Sequence, residues 1–274
     1  LHCDLVLTAH PTEITRRTLI QKYNRIAGAL EHVRENEELD QKNKMQLERL
    51  IAEVWHTDEI RTERPKPQDE AIWGYAVIEH SFWHAIPKLW EGLDVILKQY
   101  TGESLPIEFS PITISSWMGG DRDGNPNVTT EVTEEVLRLA RWMAADLYLR
   151  DLDELLSQLS MSQCNAAVRE LCGHSSHEPY RSILRGVRDR LNATRDWAET
   201  NNPPNDQIFL KKEELFAPLD TCYRSLHECG MGIIADGLLK QTLIRISTFG
   251  ATLIDLDIRQ SAEKHTDLME KLIF

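Results

Sequence analysis

Three short segments that end in polar residues constrain the fold of this 274-residue chain more than any other feature of its sequence. They are Leu5–Ala9, Ile112–Trp117 and Thr252–Ile258; each is rich in β-branched or alternating apolar residues and too short for a stable helix. Each runs directly into residues that can carry chemistry. Reactive groups just beyond the carboxyl ends of strands are typical of the catalytic face of a parallel β/α barrel. Since three strands cannot close a barrel, the pattern predicts an incomplete one.

Most of the remaining sequence predicts α-helix, because apolar residues recur with a period of about 3.6 residues. We expect Pro87 to kink the third predicted helix, Thr130 to cap the fourth and Gly230–Gly232 to break the last. The predicted helices follow Pro11 as far as Val33 and then span Asp40–Trp55, Asp69–Tyr100, Thr130–Leu159, Tyr180–Trp197 and Leu215–Phe249.

The predicted fold class is mostly α-helical with a few short parallel strands, as an incomplete fragment of a helix-rich (β/α)8 TIM-like barrel. We treat residues 1–274 as one partial domain, with a possible helical subregion at 130–250. The chain begins without Met, and Lys264–Phe274 ends in a helical pattern without a stop signal. We therefore expect a piece of a longer protein.

The composition excludes several classes of function. Lys and Arg number 31 against 44 Asp and Glu, and the resulting charge of −13 disfavours binding to nucleic-acid phosphates. No apolar run approaches the roughly 18 residues that span a membrane, and a signal peptide is not recognisable. The five cysteines form no CxxC motif, which argues against a disulfide framework and a cysteine zinc site. We expect a soluble, cytoplasmic protein.

His10 is the first candidate catalytic residue, because it follows a predicted strand. Histidine titrates near neutrality and can move protons or donate a hydrogen bond to an anion. Arg16 and Arg17 fall in the first turns of the next helix, and two cations at a helix N-terminus suit a phosphate or carboxylate. The alternative is a histidine bonded to a backbone carbonyl, with both arginines on a solvated face.

The glycine-rich segment Trp117–Val128 (WMGGDRDGNPNV) is the second candidate. It matches neither a P-loop nor a dinucleotide-binding motif, and it fits a calcium loop poorly because the later Glu is absent. Paired glycines allow a ligand to approach the backbone closely. Arg122 either locks the turn by pairing with a neighbouring aspartate or clamps an anion. A structural turn and a functional loop both remain open.

The third candidate is Arg259, at the end of the segment LIDLDIRQ. Asp255, Asp257 and Arg259 alternate onto one face of the predicted strand, where charges are costly unless they pair or bind something polar. A guanidinium in this position can hold a phosphate through two parallel hydrogen bonds. The alternative is an internal Asp–Arg ion pair.

Other groups are interpreted as structural. His80 and His84 lie one helical turn apart without the glutamate of a zinc motif, so no metal site is predicted. Tryptophans at helical spacing are predicted to belong to the core or to a helix-packing surface: Trp55, Trp73, Trp83 and Trp90.

Together, the three strand-end segments resemble the phosphoenolpyruvate carboxylase family. Val6–Arg17 (VLTAHPTEITRR) is similar to that family's first active-site signature, with His10 in the place of the catalytic histidine. Ser116–Thr129 resembles the glycine-rich segment that follows it, and Leu256–His265 (LDIRQSAEKH) resembles a later one. Each string is long and rare, their order agrees, and the resemblance extends over essentially the whole chain.

The resemblance implies a biotin-independent lyase that joins phosphoenolpyruvate and bicarbonate to give oxaloacetate and phosphate, with Mg²⁺ or Mn²⁺. It implies that His10 helps to deprotonate and break down carboxyphosphate and that Arg259 binds the transferred phosphate. Trp117 would line the apolar pocket that shelters CO₂ and the enolate. Supporting contacts to the substrate are expected from Arg16 and Arg17, and Arg122 is expected either to support substrate binding as a further cation or to order the loop.

The family's metal ligands, second catalytic histidine and aspartate-inhibition sites are not found in this sequence. The chain alone is therefore expected to be inactive, as part of an intact cytoplasmic homotetramer that binds neither nucleic acid nor membrane. Two alternatives remain open. One is a non-catalytic helical scaffold domain, and the other is a phosphotransferase that carries phosphate on His10.

Overall fold

A computed structural model of the chain describes residues 2–8, 17–35, 41–57, 66–123, 125–173, 176–200 and 202–273. The described residues are mostly helical and include a small parallel sheet, which confirms the predicted secondary-structure class. Two compact units are present: Ala9–Lys66 forms the smaller, and Leu1–Thr8 with Pro67–Phe274 forms the larger.

Within its described residues, the smaller unit contains two helices, α1 (Arg17–Glu35) and α2 (Gln41–Trp55), as the sequence predicts. Lys22 of α1 donates hydrogen bonds to the Glu53 carbonyl at 2.9 Å and to Thr57 Oγ1 at 2.6 Å, which fastens α1 to the end of α2. Trp55 is 83% exposed, so it does not pack in the core, one of the two placements predicted for it.

The larger unit contains three strands and nine α-helices among the described residues. The strands are β1 (Cys3–Leu7), β2 (Ile112–Ser116) and β3 (Asp255–Leu256). The helices are α3 (Pro67–Val77), α4 (Trp83–Thr101), α5 (Thr130–Gln158), α6 (Ala166–Cys172), α7 (Pro179–Ala198), α8 (Lys212–Glu228), α9 (Gly232–Ala235), α10 (Leu238–Phe249) and α11 (Ala262–Ile273).

The three strands form one parallel sheet in the order β1-β2-β3. Leu7 lies opposite Ser116, and Ser116 lies opposite Leu256, so all three strands reach the same edge of the sheet. The third strand is shorter than predicted, because Leu253 has a φ of +68° and cannot continue an extended strand. Leu253 and Ile254 are consequently both buried instead of alternating between two faces.

Helix boundaries follow the predicted signals closely. The fourth predicted helix begins at Thr130, but its cap is Thr129, whose hydroxyl accepts from the Val132 N–H at 3.4 Å. The predicted break at Gly230–Gly232 is confirmed, because α8 ends at Glu228 and the next helix begins at Gly232. No helix of the described segments is both long and apolar enough to cross a membrane.

One apolar core joins α3, α4, α5, α7, α8 and α10 to β2, whose Ile114 is buried. Trp83 is one of its members, with its ring centroid 5.0 Å from that of Tyr148 and 5.1 Å from that of Phe249. Trp83 and Trp90 are buried as predicted. Burial of each large apolar side chain contributes about 1.5–3 kcal/mol to the stability of the fold. The apolar core therefore stabilises the helices against which β2 packs.

The segment from α3 to α4 is one helical run, interrupted by a π-helical segment at Ile78–Phe82. Pro87 lies inside α4, and the helix continues through it. A proline has no N–H, so the carbonyl of Trp83, four residues earlier, lacks its usual intrahelical donor. Arg245 of α10 replaces that donor, with Nε 2.8 Å from the Trp83 carbonyl oxygen.

Arg245 also closes a buried ion pair with Asp151 of α5, at 2.7 Å between Nη1 and Oδ2. Arg245 is only 4% exposed, and its guanidinium carbon lies 5.4 Å from the centroid of the Trp83 ring. Burial raises the pKa of Asp151, and the positive charge of Arg245 opposes that rise. One side chain therefore satisfies both a helix carbonyl and a buried carboxylate.

Replacing Arg245 with Met should lower the free energy of unfolding by about 3–5 kcal/mol, because Asp151 would keep a buried charge without its cation. Urea unfolding followed by circular dichroism measures this loss. Arg185→Met is the matched control: Arg185 is 53% exposed and its partner Glu178 is 36% exposed, so its removal should cost at most about 1 kcal/mol. Equal losses in the two variants would contradict the account.

Candidate functional site

The residues that follow β2 and β3 leave the sheet side by side. The Trp117 N–H donates to the Leu7 carbonyl at 3.0 Å, and the Asp257 N–H donates to the Ser116 carbonyl at 2.9 Å. These bonds extend the parallel ladder by one residue beyond each strand. The glycine-rich segment and the LDIRQ segment, 140 residues apart in sequence, therefore meet at one edge of the sheet.

Four side chains form what we call the strand-end cluster: Trp117, Asp121, Asp257 and Arg259. The guanidinium carbon of Arg259 lies 4.7 Å from the centroid of the Trp117 ring, a cation–π contact. Trp117 Nε1 donates to Asp257 Oδ2 at 3.2 Å. On the other side, Arg259 Nη1 lies 3.4 Å from Asp121 Oδ2. The structure thus brings together two predicted site residues, Trp117 and Arg259.

The electrostatics of the cluster leave Arg259 able to bind an anion. Its side chain is 47% exposed, and its ion pair with Asp121 is long and half-exposed, a kind of pair worth at most about 1 kcal/mol. A guanidinium carries five N–H donors, and among the described residues only Nη1 has a side-chain acceptor. The other donors can hold a phosphate or a carboxylate.

Glycine is required at two positions that shape the loop after Trp117. Gly119 has a φ of +80°, and a Cβ there would crowd the buried side chain of Val136. A Cβ on Gly120 would overlap the carbonyl oxygen of Asp257. The loop and the stretch after β3 therefore approach each other more closely than any side chain at 120 allows. The atoms that approach Gly119 and Gly120 most closely are therefore those of other residues of the protein and not those of a ligand.

Backbone hydrogen bonds complete the contact between the loop and the stretch after β3. The Arg259 N–H donates to the Gly120 carbonyl at 3.0 Å, and the Arg122 N–H donates to the Arg259 carbonyl at 3.0 Å. Asp121 and Arg259 consequently pair as an isolated parallel bridge. The position of the Arg259 backbone is fixed by the loop even though its side chain is exposed.

The Arg122 side chain contacts α5. Its Nη2 donates to Thr133 Oγ1 at 3.2 Å, and that hydroxyl donates to the Gly119 carbonyl at 2.8 Å. Arg122 Nε is buried and has no acceptor among the described residues. Within that same part of the chain, Arg122 pairs with neither Asp121 nor Asp123. Its contacts therefore connect the loop to a helix.

Three predicted site residues cannot be placed. His10 and Arg16 lie outside the described residues, and Arg17 begins α1 but its side chain is not described. Their roles stay predictions from the sequence.

Sequence reasoning missed the partners of Arg259. The sequence left open an internal Asp–Arg ion pair without naming the aspartate; the Arg259 ion pair is with Asp121 from the loop, and Asp257 accepts a hydrogen bond from the indole N–H of Trp117. The signal that could have revealed these partners is the parallel register, which places Trp117 beside Asp257.

The strand-end cluster does not fit a divalent metal ion. Mg²⁺ and Ca²⁺ require about six oxygen ligands, whereas Asp121 and Asp257 already bind Arg259 and Trp117. Across the described segments, no group of three or more His, Cys, Asp or Glu side chains could hold a metal ion.

The fold and the cluster define a parallel-sheet edge with a stacked, exposed arginine, an arrangement whose charge suits an anion. A sequence model of the phosphoenolpyruvate carboxylase family matches residues 1–274, and the chain belongs to that family. It is 55% identical to the phosphoenolpyruvate carboxylase of Pseudomonas putida and 52% identical to that of Hahella chejuensis, over 99% of its own length. The chain spans 32% of the length of each relative.

Replacing Gly120 with Ala should destabilise the chain by about 1–3 kcal/mol, because the new methyl group overlaps the Asp257 carbonyl and forces the loop away from β3. Gly186→Ala in α7 is the matched control, since a Cβ there meets nothing within 4 Å. That variant should gain about 0.5–1 kcal/mol from helix propensity. Urea unfolding measures both, and a neutral Gly120→Ala would contradict the close approach.

Proposed function

We propose that this chain is the part of phosphoenolpyruvate carboxylase that supplies the phosphate-binding arginine and the wall of the substrate pocket. The intact enzyme would join phosphoenolpyruvate and bicarbonate to give oxaloacetate and phosphate. The observation that carries this proposal is the exposed guanidinium of Arg259, stacked on Trp117 at the carboxyl edge of three parallel strands. That edge corresponds to the catalytic face if the strands belong to a (β/α)8 barrel.

Arg259 is the residue assigned to the substrate's phosphate. Transfer of a phosphoryl group depends mainly on positioned cations around its oxygens. Two features of Arg259 support this role: the Trp117 ring orients its guanidinium, and backbone bonds to the loop fix its Cα. When phosphate binds, it replaces a weak ion pair with Asp121 by a stronger charge-assisted contact.

Trp117 is proposed to exclude water from the reacting atoms. Bicarbonate attacks the phosphorus, and carboxyphosphate and the enolate of pyruvate form; carboxyphosphate then releases the CO₂ that the enolate captures. Water would protonate the enolate before that capture, so the pocket needs an apolar wall. The half-buried indole beside Arg259 supplies a large apolar surface where the phosphate is held.

His10 is proposed to take the proton from carboxyphosphate and to assist its breakdown, as the family resemblance implies. An imidazole can exchange protons near neutral pH. Arg16 and Arg17 are proposed as supporting cations. For Arg122, its bond to Thr133 favours the loop-ordering role over direct substrate binding.

Properties of the intact enzyme stay proposals. A divalent metal ion would be held by residues other than the strand-end cluster, and no biotin is required. A cytoplasmic location, a homotetrameric assembly and the inactivity of this chain alone are all predictions.

The full-length parent enzyme should form oxaloacetate from phosphoenolpyruvate and bicarbonate. Arg259→Gln should raise its KM for phosphoenolpyruvate at least about ten-fold, because the variant loses a hydrogen bond from a charged group to the phosphate. A coupled assay with malate dehydrogenase measures both, and the isolated 274-residue chain should give no product. Arg185→Gln is the matched control, because Arg185 is 53% exposed on α7 and pairs with Glu178.

An unchanged KM in Arg259→Gln would sink the assignment of the phosphate site and favour a scaffold role. Acid-labile phosphate on His10, found after incubation with phosphoenolpyruvate, would favour the phosphotransferase alternative.

A further inference from the structure

Trp117 is held from two directions by residues of a single segment. Its N–H edge faces Asp257, with Nε1 3.2 Å from Oδ2, and its ring face lies against Arg259, 4.7 Å from the guanidinium carbon. Asp257 and Arg259 are two residues apart, so their side chains project to the same face of an extended segment. The indole therefore contacts two groups: the Asp257 carboxylate accepts its N–H, and the Arg259 guanidinium stacks on its ring face.

The backbone holds both neighbours of the indole in register. The Asp257 N–H donates to the Ser116 carbonyl at 2.9 Å, and the Arg259 N–H donates to the Gly120 carbonyl at 3.0 Å. These two bonds bracket the turn that carries Trp117. The backbone leaves rotation about the side-chain bonds of Trp117 free, and the hydrogen bond to Asp257 opposes that rotation.

We propose that Asp257 is a positioning residue: by accepting the indole N–H it fixes the plane of Trp117, and that plane fixes the direction in which Arg259 presents its free N–H groups to the substrate's phosphate. This inference rests on the function proposed above. Asp257 acts through the ring and does not occupy the guanidinium.

Asp121 differs from Asp257 in this respect. Its carboxylate lies 3.4 Å from Arg259 Nη1, so it binds the group that must hold the phosphate. Loss of Asp121 would remove a competitor for Arg259, whereas loss of Asp257 removes only the support of the ring. The two aspartates of the cluster therefore have separable effects on substrate binding.

Kinetics of the full-length parent enzyme test the inference. Asp257→Ala should raise the KM for phosphoenolpyruvate about five-fold, the scale of an exposed cation–π contact. Its kcat should change less than about two-fold, because the affected contact is made equally in the ground state and the transition state. Asp257→Asn keeps an oxygen that accepts the indole N–H and should restore the parent KM.

Two further variants complete the design. Asp255→Ala is the matched control, since Asp255 is an exposed carboxylate two residues earlier on β3, and it should leave KM unchanged. Trp117→Phe keeps an aromatic face but has no N–H, so it should raise KM to a similar extent as Asp257→Ala. The double variant should be no worse than either single one, because both remove the same interaction. Trp117→Phe also tests the inference if Asp257→Ala fails to fold.

The possible outcomes separate this inference from the proposed function. An inactive parent, or a parent indifferent to Arg259→Gln, overturns the proposed function. A parent that responds to Arg259→Gln but not to Asp257→Ala overturns only the positioning role. Asp257→Asn as impaired as Asp257→Ala also overturns it, because the negative charge and not the acceptor would then matter. If the increases in KM of Asp257→Ala and Trp117→Phe add in the double variant, the positioning role is also overturned.

Discussion

The parallel register of three short strands is the constraint on which the rest of the candidate site depends. Leu7, Ser116 and Leu256 lie opposite one another, so the chain leaves the sheet at the same height after each strand. A shift of one residue would turn every side chain to the other face. Trp117 and Asp257 could then no longer meet. The contacts of Arg259 follow from this register and from the helical core beneath it.

The glycine-rich loop, placed by that register, fixes the backbone position of Arg259. Gly120 has no side chain to separate the loop from Asp257, so backbone bonds can form on both sides of Arg259. Thr133, at the start of α5, accepts from Arg122 and donates to the Gly119 carbonyl. The loop is thereby connected to the largest helix of the unit. An exposed guanidinium is thus carried by a backbone segment that is hydrogen-bonded to the loop on both sides.

The sequence predicts the strands and most helices because periodicity and β-branching are local signals. It fails where a tertiary contact or a single dihedral angle decides the outcome. The left-handed conformation of Leu253 shortens β3, and no pattern of apolar residues encodes it. The ion pair of Arg259 with Asp121 joins residues 138 positions apart, so it depends on strand order, which local patterns do not specify. Trp55 has a helical spacing typical of core residues, yet it is exposed.

A crystal structure of the full-length parent with an unreactive phosphoenolpyruvate analogue tests the central claim most directly. The account predicts a phosphate oxygen within about 3 Å of the Arg259 guanidinium, which is hydrogen-bonding distance. It also predicts that Trp117 still lies against that guanidinium and still donates to Asp257. An analogue bound away from the carboxyl edge of the sheet, with Arg259 still paired only to Asp121, would contradict it.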